Sequence, residues 1–234
     1  MTAPATDDLV AYSREVIQSG STSFATAAKL FEPRTRASAY LLYAWCRHCD
    51  DVVDGQTLGH DAIPLTAGER LARVEALYAQ TRAALAGEAV EPPVFRAFQA
   101  VAKAHGLPPD FAFDHLAGFR WDAEGVRVQT FEDLLRYCYH VAGAVGLMMA
   151  WIMGVRDEGT LDRACDLGIA FQLTNIARDV VEDAEAGRVY LPETWLAEAG
   201  LTPADVPRPE HRRALYGLAR RLVAEAEPYY RSAQ

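Results

Sequence analysis

The sequence predicts an all-α fold, a single-domain helical bundle over residues 1–234. Three observations lead there. No segment alternates apolar and polar residues between turn formers, as a half-buried strand would. Apolar positions recur at helical spacing in long segments punctuated by Gly and Pro. Two segments open on a capping pattern, Thr66 with Glu69 and Thr130 with Asp133.

The elements follow in order. A first helix fits Asp7–Gln18, and the polar break Gly20–Phe24 (GSTSF) leads into a short helical stretch. Pro33 suits the first turn of the next helix, which runs to about Asp54 and ends with help from Gly55. Gln56–Leu65 is a loop of turn formers. Thr66 caps a helix to Ala86, stopped by Gly87. Pro92–His105 is closed by Gly106 and Pro108–Pro109, and Asp110–Asp122 follows. Thr130 starts a helix reaching Met153, and Thr160 caps a long one reaching Ala186. Pro192–Ala199 is short, and Pro209–Ser232 is the last helix.

Bulk properties narrow the function. The 234 residues carry 23 basic and 32 acidic side chains, a net charge of −9. No basic run exists to neutralise phosphates, which argues against a nucleic-acid partner. Anionic small molecules stay open, because bound cations invert the local charge. Of the four cysteines, Cys46 and Cys49 form a CxxC without a second pair or a βαβ context, so buried free thiols are expected. The amino terminus lacks the apolar run of a signal peptide. Tyr137–Val155 has the length of a membrane span, but its flanks show no positive bias and it contains His140, Gly143 and Gly146. A buried, closely packed helix is expected instead.

Two segments carry the chemistry. Phe171–Asp183 (FQLTNIARDVVED) is apolar nearly all round, which predicts a buried helix. Yet Gln172, Asn175, Asp179 and Asp183 are spaced three, four and four apart, one row along one side. Burying such a row costs several kcal/mol, by rough estimate, unless something compensates it. Oxygen donors of this type suit magnesium. A second row lies in Tyr43, Arg47, Asp50, Asp51 and Asp54. Asp50 and Asp54 are one turn apart, a like-charge pair that needs a reward. Inward carboxylate stripes on two helices are how helical bundles build core metal sites. The expectation is that the two rows bracket Mg²⁺ ions, with Mn²⁺ as a substitute, and that these hold a diphosphate as leaving group. Arg47, Arg178 and Arg188 stand by to fork onto phosphate oxygens or onto the neighbouring aspartates. Aromatic walls able to steady a carbocation would fit the same chemistry.

The sequence resembles the phytoene/squalene synthase family. The resemblance is carried by Gly20–Phe31, Tyr43–Gln56, Arg136–Val155, Asp162–Pro192 and Ala219–Tyr230, in order over nearly the whole chain. It implies a bundle of the class I isoprenoid synthase type with a central cavity. It implies head-to-head condensation of two geranylgeranyl diphosphates, through prephytoene diphosphate, to phytoene in carotenoid biosynthesis. By family position Asp50, Asp54, Asn175, Asp179 and Asp183 would hold magnesium, and Asp51 is the weaker ligand candidate. Ser21, Ser23, Arg47, Gln172, Arg178 and Tyr190 would place diphosphates, while Phe24, Tyr43, Tyr137 and Val141 would line the prenyl tunnel. Family members normally continue past Gln234 with further helices, so the chain reads as lacking the usual C-terminal ones.

Two alternatives accompany this reading. A squalene-type synthase would use farnesyl donors and NADPH. A non-catalytic scaffold derived from the family would have eroded aspartates, whereas all four are in place. A di-iron bundle would need Glu-x-x-His pairs, which are absent. The expected partners are prenyl diphosphates and, transiently, a membrane surface, with no obligate protein partner. The expected location is cytoplasmic, peripheral at the membrane.

Overall fold

A computed structural model describes residues 6–56 and 63–234, without the side chains of Thr6, Asp7, Thr22 and Ser23. Most of the anticipated Gln56–Leu65 loop therefore lies outside the described residues. Those described form eleven α-helices joined by short turns, with no strand among them. The chain divides into two compact units, 1–124 with 148–155, and 125–147 with 156–234.

The first unit holds α1 (Thr6–Gly20), α2 (Thr22–Ala28), α3 (Pro33–Asp54), α4 (Ala67–Ala86), α5 (Pro93–His105) and α6 (Pro109–Glu124). α3 is its axis and packs on α1 and α5. Leu42, Trp45 and Val53 turn one face of α3 inward, and Trp45 stacks on Phe98 of α5 at 4.2 Å. Pro33 does occupy the first turn of α3, and Gly55 ends it in the left-handed conformation that a side chain would disfavour. The capping box of Thr66 and Glu69 forms as expected.

In the second unit α7 (Phe131–Cys138) passes into a π-helical segment, Tyr139–Gly143, and then into α8 (Ala144–Ile152), within which the division of the chain falls. The single helix expected from Thr130 to Met153 is thus interrupted. The reason lies in the packing against α9 (Glu158–Glu185). A Cβ on Gly168 would stand 2.4 Å from the Ala142 carbonyl oxygen, and one on Gly146 would stand 2.2 Å from that of Ala164. Backbones this close leave room only for hydrogen. α9 is capped by Asp157, whose carboxylate accepts from the Thr160 amide at 2.9 Å, so the helix starts earlier than the Thr160 cap expected. α10 (Glu193–Glu198) is short, and α11 (Arg212–Ser232) lies along α9. Trp195 of α10 is stacked on Phe131 and roofed by the Arg221 guanidinium 3.9 Å from its ring centre. No described helix is long and apolar enough to cross a membrane.

Candidate active site

In the first unit the site is built on α3 and the turn before α2. Ser21 caps α2, its hydroxyl oxygen accepting from the Phe24 amide at 3.3 Å. The Phe24 ring, 58% exposed, leans on Tyr43 of α3 at 6.0 Å. Tyr43 in turn lies against Gly20, where a Cβ would come 2.7 Å from the tyrosine hydroxyl. Sequence reasoning treated Gly20 only as a break; its packing role has no local signal, because the partner is 23 residues away in sequence. One turn on, Arg47 donates from Nη1 to Asp50 Oδ2 at 3.0 Å and pairs through Nε with Asp51 Oδ1 at 3.1 Å. Asp51 is buried, whereas the Asp50 side chain is 41% exposed. The Asp51 charge is also, after burial, the second cause that raises the Tyr12 pKa of α1. Burial also pushes the Tyr43 phenol up. It pushes His48 down against the opposing charge of Asp51.

In the second unit the row lies on α9. Gln172 and Asp183 are half-buried, Asn175 is exposed, and the Asp179 side chain is 34% exposed. Phe171 is 48% exposed, so the wholly buried helix expected here is half-buried instead. Arg178 grips Asp179 with two bonds of 2.6 Å, Nε to Oδ1 and Nη2 to Oδ2. That fork raises the Arg178 pKa. Asp179 is also the one residue of α9 with non-helical angles, φ −104° and ψ 17°, a kink. Of the tunnel candidates, Val141 is half-buried in the π segment, and Tyr137 donates from its hydroxyl to that of Tyr190 at 3.0 Å with the rings stacked at 4.8 Å. The Ser23 side chain lies outside the described residues.

Of the cysteines expected to be buried thiols, Cys49 and Cys138 are buried, while Cys46 and Cys165 are half-buried. All four are free. Burial, then the charge of Asp50, pushes Cys46 up to about 12. Burial, then Asp166 and Asp162, pushes Cys165 up to about 11. Neutral thiols of this kind are poor nucleophiles and poor metal ligands.

The metal reading rests on the donor chemistry. The candidate ligands are carboxylate and amide oxygens, the set that Mg²⁺ prefers. Among the described residues, no three His, Cys, Asp or Glu side chains form a ready-made ion cage. Mg²⁺ asks for less, since one or two carboxylates suffice when substrate phosphate and water complete the shell.

Aspartate rows on two helices, each with an arginine beside it, can now be set against known proteins. The family model for squalene/phytoene synthase matches residues 17–234. The chain belongs to the squalene/phytoene synthase family. Within that family it is 63% identical to a 15-cis-phytoene synthase of Enterobacter agglomerans, covering 92% of this chain and 72% of the relative. It is 57% identical to a 15-cis-phytoene synthase of Pantoea ananas, covering 96% and 73%. Among solved structures it matches a dehydrosqualene synthase in complex with ligand, with a TM-score of 0.84 and 31% identity, covering 97% and 76%. The squalene synthase HpnC from Alicyclobacillus acidocaldarius matches with a TM-score of 0.74 at 25% identity, covering 97% and 91%. The all-α architecture of the described residues is that of family members.

Proposed function

We propose that this protein condenses two geranylgeranyl diphosphates head-to-head, through prephytoene diphosphate, to phytoene, a step of carotenoid biosynthesis. The observation that carries the reading is the 63% identity to a phytoene synthase over 92% of the chain, in a sequence that has Asp50, Asp54, Asp179 and Asp183 in its two rows. The single-domain reading of residues 1–234 belongs to the same proposal.

The residues divide the work. Asp50 and Asp54 on α3, and Asn175, Asp179 and Asp183 on α9, would hold Mg²⁺. Bound there, the metal would neutralise diphosphate charge and assist its departure. Arg47 and Arg178 supply planar forks suited to phosphate oxygens. Both are held by aspartates at 2.6–3.1 Å, which keeps the guanidiniums placed until phosphate competes for them. Ser21, Ser23, Gln172 and Tyr190 would add single hydrogen bonds to the diphosphates. Phe24, Tyr43, Tyr137 and Val141 offer apolar and aromatic faces to the prenyl chains, and the rings can steady allylic cationic charge. Substrate and product are lipids, and we place the exchange at a membrane surface that the protein touches without crossing.

The test is a product assay. Purified protein with Mg²⁺ receives geranylgeranyl diphosphate, or farnesyl diphosphate with and without NADPH. Phytoene from the first substrate alone is the expected result. Squalene formed in the presence of NADPH, or no condensation product from either donor, refutes the proposal.

A further inference from the structure

The corner between α2 and α3 presents an apolar tip on a basic base. Leu30, which stands between the two helices, is 88% exposed. Isolated surface leucines are ordinary, but this one is mounted. Arg36 of α3 donates through Nη2 to the carbonyl oxygens of Lys29 at 3.1 Å and Phe31 at 2.8 Å, the residues on either side of Leu30. One guanidinium thus fixes the backbone that displays the leucine. Beside the corner, residues of α1, α2 and α3 line an open pocket of about 420 Å³. Its lining includes Arg14, Gln18, Lys29 and Arg36 together with the apolar Val10 and Tyr40. The buried Nε of Arg36 has no hydrogen-bond partner among the described residues.

We infer that this corner is the membrane-docking face, with Leu30 entering the acyl boundary and the pocket receiving the phosphate of an anionic phospholipid. Charge complementarity selects that occupant. A chain of net charge −9 is repelled by an anionic surface, so a docking face has to invert the sign locally. The side chains lining the pocket include three cations, Arg14, Lys29 and Arg36, and no acidic residue; Arg34 follows Pro33 at the start of α3, and among the described residues none of these four basic residues forms an ion pair. A lining that mixes cations with apolar side chains matches a headgroup with the start of its acyl chains. Shallow insertion of an apolar side chain beside basic residues is how peripheral proteins hold an anionic bilayer. None of these residues belongs to the aspartate row on α3 or to the one on α9.

This inference rests on the membrane contact proposed above, and vesicle co-sedimentation separates the two. Wild type, Leu30→Ser and the double variant Lys29→Gln/Arg34→Gln are mixed with phosphatidylcholine vesicles, with or without about 30 mol% phosphatidylglycerol. Wild type is expected to bind the anionic vesicles selectively. Each basic side chain removed should weaken that binding about five-fold. Leu30→Ser should weaken it about ten-fold. Helix content and turnover in detergent should be unchanged, because every altered side chain is exposed. In a second measurement, brominated acyl chains should quench Leu30→Trp more strongly than wild type. Wild-type binding that survives in all variants, or no extra quenching, overturns the face while leaving membrane contact standing. Failure of wild type to bind anionic vesicles overturns both, without touching the condensation activity.

Discussion

Gly168→Ala tests whether close backbone packing fixes the π segment. The new methyl would sit 2.4 Å from the Ala142 carbonyl oxygen, 2.7 Å from its carbon and 3.0 Å from the Gly143 Cα. All three are backbone atoms, so no side chain can swing aside; α9 and the π segment must part by roughly an ångström to restore ordinary contact. Overpacking of this kind costs about 1–3 kcal/mol, and a clash with backbone belongs at the upper end. Alanine returns about 1 kcal/mol through its better helix propensity. The net loss is about 2 kcal/mol.

Gly217→Ala is the control in the same unit. It is exposed on α11, and nothing lies within 4 Å of the position its Cβ would take. There the propensity gain stands alone, up to about 1 kcal/mol. In a chain of this size 1 kcal/mol moves the melting midpoint by about 2–4 °C. Thermal melts followed by circular dichroism should show Gly168→Ala lower by about 4–8 °C and Gly217→Ala higher by about 2–4 °C. Equal shifts in the two variants, or a Gly168→Ala midpoint at or above wild type, would refute the packing argument.

Other outcomes follow from the site. Asp54→Asn or Asp179→Asn should abolish Mg²⁺-dependent product formation and leave far-ultraviolet circular dichroism unchanged; near wild-type turnover in either would remove that residue from the metal set. Because burial holds the thiols neutral, native protein should show no rapid iodoacetamide labelling at about pH 7.5, and a burst would contradict the assignment. The same burial gives stability a pH dependence. The folded thiols are raised, Cys46 to about 12 and Cys165 to about 11, above a reference of 9.0. A raised folded pKa adds stability that is fully present below the unfolded value and is lost as the unfolded chain ionises. The melting midpoint should therefore decline as pH rises past about 9, and a flat profile to about pH 10.5 would argue against buried thiols.

Helix positions were legible because their signals are local. Thr66 with Glu69, Pro33 and Gly55 each act within one turn of the end they mark. The Thr160 cap was misplaced because Asp157 caps the helix three residues earlier, its carboxylate accepting from both the Thr160 amide and the Thr160 hydroxyl. The π segment was hidden for another reason. It answers to Gly168 and Ala164 on a different helix, and the apolar run YHVAG reads the same in an α or a π register. Exposure of Phe171 was missed because its ring meets Tyr230 of α11 edge-on at 5.9 Å, covering one side only.

The kink at Asp179 shows where spacing arguments reach their limit. The row Asn175, Asp179, Asp183 was read on the premise that four residues make one turn throughout. Asp179 itself departs from helical angles, so the last carboxylate no longer lies one regular turn along the same side. Upstream the helix is tied to α11: the Thr174 hydroxyl donates to the Ala170 carbonyl at 2.9 Å, which leaves the Tyr230 hydroxyl to donate to Thr174 Oγ1 at 2.9 Å. Downstream, the Arg188 amide closes on the Asp183 carbonyl at 2.8 Å and ends the helix. The change of direction falls between these two anchors, at a residue whose carboxylate is gripped by its own neighbour Arg178. Angles near φ −90° and ψ 0° are sparsely populated and recur at active sites. Residue types and spacing therefore identify which oxygens are available, while the aim of each is set by a bend that no residue type announces.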